Sequence, residues 1–340
     1  MYETFFGLTG KPFQLNPDPS FYYGSRGHKR AFAYLEYGLY QSEGFIVITG
    51  EIGAGKTTIV RSLLEQLDPS KVVAAQLVST QLDADDLLRS VAVAFGLPVK
   101  AVDKAMLLAA IEAFLCECVT QKKRALLVVD EAQNLSQRAV EELRMLSNFQ
   151  LGDRALLQSF LIGQPELREM MRSPQMQQLR QRVIASYHLG PLDKGEARAY
   201  IEHRLTHVGW KDDPHFEPEC FEVIHNVTGG IPRRINTLCN RLLLAAYLAE
   251  RHRIRESDVQ SIAREIHDEL GPDAALVYVA GNGGDNRLTT QLDDEAMTKH
   301  FDHLEARIDR LERTVSASVD LLHRLLHPER VSKPGSERGG

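Results

Sequence analysis

The segment Gly50-Glu51-Ile52-Gly53-Ala54-Gly55-Lys56-Thr57, with Thr58 after it, follows the spacing G-x-x-x-x-G-K-[ST]. Glycines at this spacing let the backbone fold around an anion, with N–H groups and a helix N-terminus turned toward it. The expected ligand is a nucleotide. Gly50, Gly53, Ala54 and Gly55 would wrap its phosphates, Lys56 would reach the β- and γ-phosphates, and the Thr57 hydroxyl would bind Mg2+ beside Thr58. Further along, the apolar run Ala125–Val129 ends in Asp130 and Glu131. Ligands of parallel sheets bind outside the carboxyl ends of the strands. Asp130 is therefore expected near the Mg2+, and Glu131 where it orients and polarises an attacking water. Such positioning carries most of phosphoryl-transfer catalysis. The chemistry these residues point to is binding of ATP with Mg2+ and its hydrolysis to ADP and phosphate.

Two other constellations carry less. His203-Arg204-Leu205-Thr206-His207 sets two histidines four apart, but Arg204 stands where a zinc protease needs its glutamate, so a polar helix face is expected. Cys116, Cys118, Cys220 and Cys239 show no zinc spacing and read as reduced thiols of a cytosolic protein.

These residues need a scaffold. Four apolar runs, Phe45–Thr49, Val72–Val78, Ala125–Val129 and Leu156–Ile162, with a weaker fifth at Ile184–Leu189, are separated by helical stretches. Near-continuous apolar strands alternating with helices predict a parallel sheet covered on both faces, an α/β fold. Residues 1–40 form an aromatic and proline-rich segment ending in a helix from about His28 to Tyr40, and 41–192 the α/β domain. Over 193–270 the pattern is purely helical: Ala197, Ile201, Leu205 and Val208 share one face. A helix at Cys220–Val227 stops at Gly229-Gly230, Pro232 opens the next, and Ser257-Asp258-Val259-Gln260 reads as a capping box.

Residues 271–298 read as a linker, and 299–327 carry a heptad pattern from Phe301 to Leu325 interrupted by Ser318. A polar tail over 328–340 is expected to be disordered. The chain of 340 residues carries a net charge of -6 with 43% hydrophobic and 25% charged residues. That is the balance of a soluble protein without the basic excess of one held to DNA mainly by phosphate contacts. Nothing at the N-terminus reads as a signal peptide, and Ala274–Ala280 is too short to span a bilayer.

The order of phosphate loop, Asp130-Glu131, polar strand end, arginine pair and helical lid resembles the AAA+ superfamily. A closer resemblance rests on Phe5-Phe6-Gly7-Leu8, Lys11-Pro12-Phe13, Pro17-Asp18-Pro19 and His28. It continues through Gly50–Thr58, Asp130-Glu131-Ala132-Gln133-Asn134-Leu135 and Ile162-Gly163-Gln164-Pro165-Glu166-Leu167. These look like the general secretion pathway A-type ATPases, closest to the secretion ATPase associated with exosortase (PEP-CTERM) and exopolysaccharide loci. The resemblance covers about residues 1–270.

The resemblance implies an AAA+ core with a five-stranded parallel sheet and a helical lid, and the heptad pattern adds a coiled-coil-like C-terminal helix over 299–327. It implies that Gln164 is the sensor contacting the γ-phosphate or the lytic water, and that Arg233 is the lid's second sensor. Arg180 or Arg182, with Arg182 preferred, would act on a neighbour's nucleotide, and the chain would form a homo-oligomer. Phe13 or Phe21 would lie beside the base unless they are plain core. The implied setting is cytoplasmic, peripheral at the inner membrane through a protein partner of secretion or polysaccharide export. The chain departs from the A-type pattern in lacking a transmembrane helix and periplasmic domain after the core. The rival reading is a DNA-associated ATPase resembling transposition regulators of the Mu B type, which the acidic net charge disfavours.

Overall fold

The computed structural model describes residues 1–270 except 17, 42, 79–81 and 100–102. The linker, heptad segment and tail expected over 271–340 lie outside the described residues. The five apolar runs are strands β1 (Phe45–Gly50), β2 (Val72–Val78), β3 (Arg124–Asp130), β4 (Leu157–Gly163) and β5 (Val183–Leu189). All pair in parallel, in the order β2-β3-β4-β1-β5. Every residue of the central strands β1 and β4 is buried, whereas the edge strands β2 and β5 are partly exposed. This gradient explains why β5 was the weakest run in the sequence: an edge strand faces solvent along part of its length and tolerates polar side chains such as Ser186 and His188.

Helices α1 (Arg26–Gln41) and α2 (Lys56–Gln66) cover one face of the sheet, where Leu35, Ile48, Leu63 and Phe160 pack together. Helices α3 (Ala84–Ala94), α4 (Lys104–Thr120) and α5 (Gln137–Leu146) cover the other, around Val91, Ile111, Leu127 and Leu143. The order of strands has a direct consequence for chemistry. β1, β3 and β4 lie side by side, so the phosphate loop, Asp130-Glu131 and Gln164 all leave the sheet at one edge. Helix α6 (Pro165–Arg172) starts directly after Gln164.

A third core belongs to the helical segment: α7 (Lys194–His207), α8 (Pro218–Thr228), α9 (Pro232–Leu248) and α10 (Glu256–Leu270). Asp193 and Glu196 close a capping box at α7, Gly229 ends α8 in a left-handed turn, and Pro232 opens α9. The cap at α10 differs from the expectation. The helix starts at Glu256, Ser257 lies inside its first turn, and the Asp258 carboxylate accepts from the Arg255 N–H at 2.9 Å and from Arg251. Asp258 can serve both because it sits one turn in, facing back along the axis. The segment also holds a two-residue strand pair, His215–Phe216 with Arg253–Ile254, which departs from the purely helical pattern expected over 193–270.

The N-terminal segment joins this third core through Phe6, Leu8 and Phe13. Burying one phenylalanine contributes about 2–3 kcal/mol, so three apolar anchors hold this segment against the lid. Among the described residues no helix is long and apolar enough to cross a membrane.

Candidate nucleotide site

The loop between β1 and α2 turns through Gly53 (φ +84°) and Gly55 (φ +100°), a left-handed backbone that residues with a side chain rarely adopt. It is also enclosed. A Cβ on Gly53 would meet the Cβ of Arg233 at 2.3 Å, and one on Gly55 would meet His28 Nε2 at 2.6 Å. The first turn of α9 therefore lies on one side of the loop and α1 on the other. The Arg233 N–H donates to the Gly53 carbonyl at 3.2 Å. Lys56 is buried, and its Nζ donates to the carbonyls of Gly50 (2.6 Å) and Glu51 (2.9 Å). Burial pulls its pKa below the ordinary lysine value, against the opposing pull of Glu131 and Asp130.

Across from the loop, the Thr57 hydroxyl donates to Asp130 Oδ2 at 2.9 Å, and the other carboxylate oxygen accepts from the Glu131 N–H at 3.0 Å. Burial raises the Asp130 pKa, with Thr57 opposing it. Glu131 has φ +53°, left-handed for a residue with a side chain. Its Oε2 accepts two amide N–H groups, from Gln133 (2.7 Å) and from Gln164 (2.9 Å). Burial would raise the Glu131 pKa, but these two bonds and the Lys56 charge outweigh it and hold the group below the ordinary glutamate value. The Thr57 hydroxyl and the Asp130 carboxylate are hard oxygen donors, the set that Mg2+ takes, so the residues present fit the ion.

The loop opens into a cleft of about 200 Å³. Its walls come from three parts of the chain: Gly53 and Gly55 to Thr58 with Glu131; Gln14, Asn16, Phe21 and Tyr22 of the N-terminal segment; and Tyr200, Arg204, Arg233 and Asn236 of the lid. The two aromatic candidates separate here. Phe13 is 1% exposed in the lid core, while Phe21 lines the cleft.

Arg204 was not singled out from sequence except as a mark against zinc. It is buried and donates to the carbonyls of Pro12 (2.5 Å) and Gln14 (3.3 Å) and to Tyr200 Oη (2.9 Å). Its guanidinium lies 4.8 Å from the Phe21 ring centroid. Tyr200 in turn donates to Asn236 at 2.9 Å. Arg204 thus ties the lid to the N-terminal segment, beside the Tyr2–Asn240 and Thr9–Val208 hydrogen bonds. The only prior signal was an arginine on the apolar side of a helix. His203 and His207 lie against Tyr23 and Phe21 respectively, the latter at 4.3 Å.

The arginine pair stands apart from the cleft. Arg180 is exposed and donates to the carbonyls of Met171 (2.7 Å) and Ser173 (3.0 Å). Arg182, half-buried, donates to the carbonyl (3.0 Å) and hydroxyl (3.2 Å) of Ser147 just past α5.

Residues 39–171 match the profile of the family described as "AAA domain". The chain carries an AAA core. Over 267 residues it is 41% identical to the general secretion pathway protein A of Aeromonas hydrophila, an alignment covering 78% of this chain. The chain spans about half, 48%, of that relative's length. Among solved structures, Cdc6p from Pyrobaculum aerophilum superposes with a TM-score of 0.58 at 17% identity, covering 78% of this chain and 71% of that one. The Aeropyrum pernix ORC2 protein in its ADPNP–ADP complexes gives 0.53 at 18%, covering 70% and 66%. At such identity these two likenesses concern the fold, the AAA+ arrangement of sheet and helices.

Proposed function

We propose that this chain binds ATP with Mg2+ in the cleft and hydrolyses it, and that the cycle switches an assembly or a partner. The observation that carries the reading is the convergence at one sheet edge of the phosphate loop, the Thr57–Asp130 pair at 2.9 Å and Glu131 held by two amides. Backbone N–H groups of Gly53 to Gly55 and the start of α2 receive the phosphates, and Lys56 turns from its two carbonyls to the anion. Thr57 and Asp130 would hold the ion, which when bound neutralises phosphate charge. Glu131, ionised at neutral pH, accepts a hydrogen bond from the attacking water. Gln164 lies within reach of the same water, and Arg233 borders the phosphate end of the cleft. Arg180 or Arg182 is proposed to serve a neighbouring subunit's site, because neither faces its own.

The 41% identity to general secretion pathway protein A supports a partner in secretion. We place the chain on the cytoplasmic side, peripheral at the inner membrane through that partner. We assign it, on the motifs given above, to a secretion or exopolysaccharide system of the exosortase type. The DNA-associated alternative gains no observation beyond a shared fold.

The test is a nucleotide titration with two variants. Lys56→Ala is expected to lose ATP affinity on the order of tenfold or more, since a charge-assisted phosphate contact disappears. Glu131→Gln is expected to bind ATP with unchanged affinity. Unimpaired binding by Lys56→Ala would sink the assignment of the cleft.

A further inference from the structure

We infer that Gln133 is a positioning residue that sets the orientation of Glu131, an inference resting on the ATPase reading above. Gln133 lies in the single helical turn Ala132–Asn134 after β3 and uses both ends of its amide. Its Nε2 donates to Glu131 Oε2 at 2.7 Å, and its Oε1 accepts the backbone N–H of Gln164 at 3.0 Å. The Gln164 side chain closes the figure by donating to the same Oε2 at 2.9 Å. Three residues from two neighbouring strand ends thus form a ring of three hydrogen bonds.

The ring has a defined sense. A carboxylate only accepts and a backbone N–H only donates, so the Gln133 amide fits in one orientation. Both amides converge on Oε2, which leaves Oε1 to face a water. Two further features show that the chain makes room for this arrangement. Glu131 adopts φ +53°, an uncommon backbone for a side-chain-bearing residue. Gly163, the last residue of β4, leaves room for both the Gln133 amide and Leu167: a Cβ there would stand 2.8 Å from Gln133 Oε1 and 2.7 Å from Leu167 Cδ2.

The alternative is that Gln133 merely fastens a turn. A turn fastener would stabilise the fold and leave the balance between binding and turnover unchanged. A positioning residue acts through Glu131 alone. Gln133→Leu retains bulk and removes both amide functions. Glu131 then keeps only the Gln164 bond, and the carboxylate regains rotamers that point Oε1 away from the water. Misplacing a catalytic group by about an ångström can cost on the order of a hundredfold.

The experiment measures ATP affinity and single-turnover hydrolysis for wild type, Gln133→Leu, Glu131→Gln and the double variant. Gln133→Leu is expected to bind ATP within about twofold of wild type and to hydrolyse it at least about tenfold more slowly. The double variant is expected to be no slower than Glu131→Gln, because the two residues act as a unit. Wild-type turnover by Gln133→Leu would overturn the inference, as would a loss of affinity equal to the loss of rate, or a double variant in which the losses multiply. If Gln133→Leu fails to fold, Gln133→Met, which keeps the side chain's length and removes both amide functions, is expected to reproduce the slow turnover, and wild-type turnover by Gln133→Met would then overturn the inference. Failure of the ATPase reading itself would look different: Glu131→Gln would hydrolyse ATP like wild type.

Discussion

At the scale of single residues, the site combines groups of two kinds. Lys56, Thr57, Asp130 and Glu131 announce themselves by type and spacing. Arg204 and Gln133 do not, because each also needs partners remote in sequence: Arg204 binds Pro12 and Gln14, 192 and 190 residues away, and Gln133 meets Gln164 31 residues on. Arg204 yields a direct prediction. Its carbonyl partners and Tyr200 Oη lie where water has little access, so removing the guanidinium strands several polar groups at once. Arg204→Met, which keeps most of the volume, is expected to destabilise the protein by about 2–4 kcal/mol in urea denaturation and to weaken nucleotide binding. A change under about 0.5 kcal/mol, the range of an ordinary surface substitution, would show that the Arg204 bonds add little to the hold on the N-terminal segment.

At the scale of elements, the phosphate loop is braced from two sides, by α9 at Gly53 and by α1 at Gly55. The α1 brace is His28, buried, with Nδ1 2.7 Å from the Ser25 hydroxyl and a hydrogen bond to the backbone of Ala54. One neutral tautomer satisfies both contacts, Nδ1 accepting and Nε2–H donating. Burial lowers the His28 pKa below its ordinary 6.5. The folded state therefore favours the neutral ring, and the unfolded state binds a proton first as pH falls. Stability from this contact is full above the ordinary value and declines as pH drops below it toward the folded value. The free-energy gap between wild type and His28→Gln, from unfolding curves, is expected to narrow from about pH 7 to about pH 5. A gap constant across that range would contradict the neutral brace.

Legibility in the sequence followed burial at this scale. β1, β3 and β4 were readable as strands because burial on both faces demands unbroken apolar runs, and α8 and α9 because Gly229 and Pro232 bound them. The α10 cap differs from the pattern because Ser257 and Asp258 both suit helix starts, whereas here Asp258 accepts from the Arg255 N–H three residues before it and the helix opens at Glu256. The phosphate loop and acidic strand end were legible as local motifs. The grip of the lid on the N-terminal segment was not, since no local pattern encodes a contact between α7 and residue 12.

At the scale of the whole molecule, the site is closed by its own lid yet receives neither arginine of the pair that precedes β5. We therefore expect a complete site to need a second subunit. A cation supplied across an interface can contribute on the order of 10³-fold or more in rate. Specific activity is expected to rise with protein concentration. Arg182→Ala, or Arg180→Ala if that residue is the finger, is expected to bind ATP normally and hydrolyse it poorly. Mixing that variant with Lys56→Ala is expected to restore part of the activity, because each supplies what the other lacks. Turnover that is independent of concentration in a species that stays monomeric with ATP would return both arginines to their observed roles, tying down Met171, Ser173 and Ser147 within one chain.

The expectations about turnover depend on whether the cleft hydrolyses ATP through Glu131. The direct measurement is phosphate release from ATP and Mg2+ by wild type and by Glu131→Gln at equal, saturating nucleotide occupancy. The account predicts steady release by wild type and a loss on the order of a hundredfold or more by Glu131→Gln, with ATP retained intact on the variant. Equal release by the two proteins would contradict it.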